Sequence, residues 1–425
     1  MQSYGVLVKA LDIAIAGAGP AGLAVALLLA RDGHKVRIFE RFDAPHPVGS
    51  GLILQPTGLS VLASLGLFEE IAGLGQRIDR LHGADAKSSR TVLDVRYDWV
   101  KGDRFGVAVH RAALFGVLFR AVERAGIEIV PATDTVDVEA DDAGAWLRTD
   151  SGARLGRFDL VVDATGAKSL LKRRSFRPAE PRPLAYGAFW ASLKWRGEGF
   201  DPHALMQRYD KARVMIGVLP IGRREPGGDK MAAFFWSIKP SDADAVRAAG
   251  LDAWKARVAG YWPEAQPYLD QITTFDDLTL ARYGHHTLAM PAGRRLAIIG
   301  DAAHSTSPQL GQGANMALLD AAALAHALQA GRDLPLALNS YASARRIHLR
   351  LFQALSLLLT PFYQSDSTLI PLMRDRLVAT IAKIPPMPWL LAGMVSGTLA
   401  DPFTGAGVRE ADWSRYLLQS EPRSG

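Results

Sequence analysis

Residues 12–40 read D-I-A-I-A-G-A-G-P-A-G-L-A-V-A-L-L-L-A-R-D-G-H-K-V-R-I-F-E. Asp12–Ala16 is a short apolar run suited to a buried strand. Gly17, Gly19 and Gly22 follow as G-A-G-P-A-G, and an apolar helix continues to Ala30. Val36–Phe39 is a second strand, ending in Glu40. Each part has a physical reason in a dinucleotide site. The first glycine makes a tight turn, the second lets backbone approach a pyrophosphate, and the third lets helix pack on strand. An acid roughly 20 residues on grips ribose hydroxyls. The expected cofactor contacts here are Gly17, Gly19, Ala21, Gly22, Glu40 and Arg41. A strand–helix turn without a ligand would explain Gly17 but not Glu40.

A second stretch, residues 300–320, reads G-D-A-A-H-S-T-S-P-Q-L-G-Q-G-A-N-M-A-L-L-D. The apolar run Leu296–Gly300 ends in an acid, Asp301. Pro308, Gly311 and Gly313 mark a loop, and a helix begins near Ala314. A carboxylate at a strand end can hold ribityl hydroxyls. Small residues let backbone approach a flat ring. A helix N-terminus offers free N–H groups and a positive dipole end.

These stretches, together with H-R-A-A-L at His110–Leu114, resemble the class A FAD-dependent aromatic monooxygenases, the p-hydroxybenzoate, salicylate and ubiquinone-pathway hydroxylase family. The resemblance spans roughly residues 10–365. It implies FAD as cofactor, with Arg111 and Asp301 contacting it. Pro308, Gly311, Gln312, Gly313, Ala314 and Asn315 would face the isoalloxazine, and Val136 joins the cofactor set. Pro308 and Gly311 are the expected catalytic positioning residues, with no general base assigned. One motif departs from the family pattern. Asp159–Lys172 reads D-L-V-V-D-A-T-G-A-K-S-L-L-K, with Thr165 in place of the family's Asp and Lys172 in place of its Arg. That places NAD(P)H use in question more than FAD binding. Asp163 either takes over part of the role or only caps the turn.

The 425 residues suffice for two domains, and 48% hydrophobic with 22% charged content is ordinary for a globular chain. With no cysteine, disulfides, thiol catalysis, Cys-zinc sites and iron–sulfur clusters are excluded. No Ser/His/Asp triad or metal-ligand spacing stands out, so no metal is expected. The formal net charge of +6 suits anionic small molecules, but the Lys and Arg residues are scattered and no nucleic-acid module is recognisable. The uncharged run Ile13–Ala30 carries Gly17, Gly19 and Pro20 inside it, so it reads as strand, turn and helix rather than a membrane span.

The expected fold class is α/β. A discontinuous Rossmann-like FAD-binding domain (1–75, 102–180 and 276–345) is joined by an antiparallel-sheet substrate domain (76–101 and 181–275). A C-terminal helical region (346–410) follows. One helix is expected from Ser241 to just before Pro263, and residues from Glu410 onward are expected to be loosely held. The apolar C-terminal region leaves two roles open: covering the domain or a dimer contact, and peripheral contact with a membrane. Monomer and homodimer both remain open, in a cytoplasmic setting.

The implied reaction uses NADH or NADPH and O2 to form a flavin C4a-hydroperoxide, which hydroxylates or epoxidises an aromatic or largely apolar small-molecule substrate. Strand alternation puts Gln207 with Tyr209, and Ile216 with Val218, on shared faces. With Pro220 these are the candidate substrate residues. Two other readings stay open: a flavin reductase, dehydrogenase or halogenase without oxygen insertion, and a non-catalytic binding protein on the same scaffold. Phe235–Pro240 only loosely matches a halogenase motif.

Overall fold

The computed structural model describes residues 9–44, 49–331, 333–367, 369–370, 374, 382 and 384–417. Strand Asp12–Ala16, helix Pro20–Arg31 and strand Lys35–Phe39 form at the N-terminal end as the sequence predicts. The strands pair in parallel, Ile15 beside Ile38, so the helix is the crossover a parallel pair needs. Leu160–Asp163, Leu296–Ile298 and Glu128–Val130 extend the parallel sheet, and the short edge strand Ala292–Gly293 runs antiparallel. Strands from three distant parts of the chain therefore meet in one sheet. Gly300 (φ +60°) lies where a Cβ would come within 3.3 Å of both Ala317 and Ala21. The missing side chain lets helices Pro20–Arg31 and Gly313–Gln329 close over the same strand end.

A seven-stranded sheet forms the second layer. Its order is Thr279–Ala281, Gly187–Lys194, Lys230–Ile238, Val214–Arg223, Ala204–Asp210, Arg80–Asp85, Thr91–Arg96. It is not wholly antiparallel: Ala204–Asp210 runs parallel to Arg80–Asp85. The chain leaves the sheet after Arg96 and returns only at Gly187, a connection long enough to permit a parallel neighbour. Gln76–Ile78, expected in this sheet, pairs instead with Gly106–His110, which also pairs with Gly51–Leu54. The helix expected from Ser241 is two helices, Ala243–Ala248 and Leu251–Tyr261, because Gly250 breaks it at φ +94°. They cover one face of the sheet through Trp254, Val258 and Trp262.

Leu334–Tyr363 is a thirty-residue helix, capped where Asp333 accepts the Leu336 N–H at 2.9 Å. Met387–Ser396 packs Ala392 and Val395 against Ile53 and Tyr97. Among the described residues no helix is long and apolar enough to cross a membrane. Residues 410–417 are held in place, and the rest of the stretch expected to be loose lies outside the described residues. Glu410 takes a two-pronged bond from Arg104 at 2.6 and 2.8 Å, and Trp413 is buried against Phe68 and Phe105.

Candidate active site

The three glycines of the first turn do different work. At Gly17 (φ +98°) a Cβ would sit 2.6 Å from the Ala164 carbonyl oxygen, and at Gly22 one would sit 2.0 Å from that of Gly17. Both are demanded by packing. Gly19 has nothing within 4 Å of its would-be Cβ, so this side of the turn is open. The helix that starts there has no side-chain cap and no acid in its first turn. Its N–H groups and positive end thus face open space. Glu40 closes the turn, accepting the N–H of Ala18 at 2.6 Å and of Phe42 at 3.2 Å. Arg41 stacks on Phe42 at 4.6 Å beside it.

The second motif repeats this design. Asp301 is exposed at its strand end, and a Cβ on Gly313 would lie 3.9 Å from its Oδ1. Gly311 (φ +61°) takes the left-handed turn after Pro308. Helix Gly313–Gln329 again starts without a side-chain cap or an early acid. Gln312 and Asn315 turn their side chains into the protein. Gln312 donates to the Val395 carbonyl at 2.7 Å. Asn315 donates to the Ile53 and Gly311 carbonyls, both at 3.1 Å, and accepts the Gln55 N–H at 2.8 Å. Toward a ligand these two residues and Ala314 offer backbone.

The loop stands on a buried charge network that the sequence did not announce. Asp320 accepts the Gly300 N–H at 2.9 Å, and it bonds His304 Nε2 at 2.5 Å and Arg345 Nε at 2.8 Å. Burial alone would raise its pKa, but the charges of His304 and Arg345 prevail and hold it low. Arg345 also meets His348 Nδ1 at 3.4 Å, and His348 Nε2 donates to the Gly397 carbonyl at 2.8 Å. Burial, then the neighbouring Arg345, push the His348 pKa down to about 4.

Arg111 opens helix Arg111–Arg124, and its side chain lies across Gly49 (φ +105°), where a Cβ would be 2.8 Å from Arg111 Cδ. His110 caps that helix through Nδ1, which accepts the Ala112 N–H at 3.1 Å, while Nε2 lies 3.2 Å from Ser192 Oγ. Burial, with Arg224 and Arg111, pushes its pKa down, so it stays neutral. Val136 lies half-buried on Thr135–Ala140, in a separate three-stranded sheet. Asp163 accepts from the Thr165 N–H (3.0 Å), Thr165 Oγ1 (2.7 Å) and Ser169 Oγ (2.6 Å). These bonds give it the turn-capping role. Lys172 is likewise spent on the Ala167 carbonyl at 3.1 Å.

The seven-stranded sheet turns its other face to this assembly. Ser50 Oγ donates to the Ala191 carbonyl and takes a bond from Ser192 Oγ, both at 3.0 Å. Strand pairing lines up one row across that face: Trp190, Phe235, Gly217, Gln207, Gly83 and Leu93. Gln207 and Tyr209 belong to this face. Ile216 and Val218 do not: they pack among Phe234, Trp236 and Trp254 under the helices, and Pro220 pairs with Ala232 on the same side. Alternation paired them correctly but could not say which face was inward. Trp236, the aromatic of the halogenase-like run, is also on the helix side.

The family model described as FAD binding domain matches residues 10–351. The chain belongs to the FAD-dependent aromatic hydroxylase family. It is 32% identical over 347 residues to the 3-amino-4-hydroxybenzoate 2-monooxygenase of Streptomyces cremeus, covering 78% of this chain and 82% of that protein. With the FAD-dependent urate hydroxylase of Mycolicibacterium vanbaalenii it shares 27% over 348 residues, 79% and 84% of the two chains. The fold matches Klebsiella pneumoniae HpxO complexed with FAD at TM-score 0.75 and 19% identity, covering 92% of this chain and 100% of that one.

FAD fits this hydroxylase on its own geometry: an open cradle at Gly19, two helix N-termini with unspent N–H groups, and carboxylates at two strand ends. Sequence reasoning missed Asp320, Arg345 and His348, whose pairing crosses two helices. It also missed Tyr283, which accepts a hydrogen bond from Trp190 Nε1 at 2.7 Å.

Proposed function

We propose that this hydroxylase consumes NADH or NADPH and O2 and inserts one oxygen atom into an aromatic or largely apolar organic substrate. The other oxygen leaves as water, and the nicotinamide leaves oxidised. Bound FAD supplies hydride acceptance and oxygen activation. Glu40, Arg111 and Asp301 hold it, with Gly17, Gly19, Ala21, Gly22 and Arg41 at the pyrophosphate turn. The N–H groups at Gly313 stabilise negative charge that develops next to them. Pro308, which has no N–H, and Gly311 shape the wall beside the reacting ring. The substrate lies between that loop and the sheet row containing Gln207.

The observation that supports this reading is the uncapped start of helix Gly313–Gln329 after the Asp301–Gly311 loop, in a molecule whose sheet turns an aromatic face toward Ser50. No general base is required. His110 is a helix cap, His304 is bound to Asp320, and His286 lies between Ser305 Oγ (2.7 Å) and the Ala302 carbonyl (3.1 Å). We place the enzyme in the cytoplasm as a monomer or homodimer. Exposed Leu357, Leu358, Trp389 and Leu390 are the surface for any peripheral membrane contact.

Turnover under isotopically labelled O2 tests the reaction. Label is expected in the organic product, and its absence alongside flavin reduction would leave the reductase, dehydrogenase and halogenase readings. A purified chain that takes up no FAD would sink all of these.

A further inference from the structure

A small cavity lies between the second motif's loop and helix Leu334–Tyr363. Leu310, Met316, Leu349 and Phe352 supply its apolar wall. It leaves about 20 Å³ to the centre of a water-sized sphere, and one water needs about 10–15 Å³. Two glutamines from different elements also line it, Gln312 from the loop and Gln353 from the helix. Their exposures are only 3% and 8%, and in both the Oε1 atom is buried without a hydrogen-bond partner among the described residues. The orientation of Gln312 is fixed. Its Nε2 donates to the Val395 carbonyl at 2.7 Å and to that of Met394 at 3.3 Å, so the end left over is the oxygen. His304 and Thr306 line the cavity too, but they bond elsewhere, to Asp320 and Ser356.

Buried amide oxygens nearly always find a donor, because leaving one unpaired is costly. What this pair calls for is a neutral molecule small enough for the cavity that brings two hydrogens. Water does so. Dioxygen brings none, and two amide oxygens are too few to hold a metal ion. Water also serves if the Gln353 amide is turned end for end, since it accepts as well as donates.

We infer that one structural water occupies this cavity, bridges Gln312 Oε1 to the Gln353 amide, and makes Gln353 a positioning residue for the loop that faces the flavin. Gln353 acts through the water on Gln312, whose other end is tied to Val395 of helix Met387–Ser396. The backbone at Gly311–Gly313 is thereby held from two C-terminal helices at once. The inference rests on the proposed placement of the flavin ring at this loop and adds a support behind it.

Two measurements on the full-length chain test it, and neither needs substrate, nicotinamide or turnover. A crystal structure of the FAD-loaded enzyme should show one water about 2.7–3.2 Å from both Gln312 Oε1 and the Gln353 amide. A direct amide–amide bond, or a cavity in which the two share no water, would overturn the inference. FAD affinity is read from the change in flavin fluorescence on titration with apoprotein. Gln353→Met should weaken it about fivefold, the scale of one lost hydrogen bond. Gln312→Met should weaken it more, because the Val395 bond goes as well. The double variant should bind no more weakly than Gln312→Met alone, since Gln353 acts only through Gln312. Losses that multiply, or unchanged affinity in Gln353→Met, would overturn the positioning role even if melting temperature fell. A shared water and a non-additive cycle, in an enzyme that puts no labelled oxygen into its product, would uphold the inference and sink the monooxygenase reading. Labelled product from an enzyme whose two glutamines share no water would do the reverse.

Discussion

The two faces of the seven-stranded sheet come from the same strands, one residue apart, yet they have opposite characters. The helix-side face is filled with Phe189, Phe234, Trp236, Trp254 and Trp262, packed under two helices. The flavin-side face gives up side-chain volume at Gly217 and Gly83 to the rings of Phe235 and Tyr209, and it carries Gln207 between them. One face is closed by two helices, and the other is the face we propose for the substrate. The difference teaches that one set of strands can close one face with large apolar side chains and make room on the other with glycines.

Substitutions can break that contrast. Trp236→Ala, on the helix-side face, should cost the fold about 3–5 kcal/mol in denaturant titration, the usual cost of emptying a buried aromatic site. A loss below about 1 kcal/mol would mean that the helix layer does not hold the sheet. The Asp301–Gly313 loop rests on a network that includes a neutral His348. Above pH 6.5 the folded and unfolded forms are both unprotonated there, and nothing changes. Between pH 6.5 and about 4 the unfolded chain takes up a proton that the fold refuses. Stability should therefore fall on acidification by up to about 3 kcal/mol, and His348→Gln should flatten the slope of melting temperature against pH.

On the flavin-side face, Gly217→Ala should displace the Phe235 ring at a cost of about 1–3 kcal/mol, with a greater loss in ligand affinity than in melting temperature. If the two fell in proportion, the faces would not differ in kind. The smallest effect on the fold is expected at Gly19→Val, under about 1 kcal/mol, because that position is open. The same change should abolish FAD retention, which absorbance of the purified protein would report.

What was legible in the sequence was what backbone geometry encodes locally. Gly17 and Gly22 cannot be anything else where strand and helix close, so their spacing announced the turn, and the 300–320 run did the same for the second loop. Strand alternation showed which residues share a face but not which face turns toward the flavin, so it could not tell that Ile216, Val218 and Pro220 pack on the helix-covered side. Asp320 and Arg345 could not be paired in advance, because a charged residue on an apolar helix gives no sign of its partner. Gly250 was read as helix interior although its conformation ends one helix and starts another.

The anchoring of Trp413 between Phe68 and Phe105 bears on how this enzyme can be handled in the laboratory. Shortening the chain to the family-matched region would strip the lid from two rings of the dinucleotide unit and release Arg104 from Glu410. Such a trimmed product should come out of expression as insoluble material. A fusion partner is better joined beyond Leu417, where the aromatic plug is left in place.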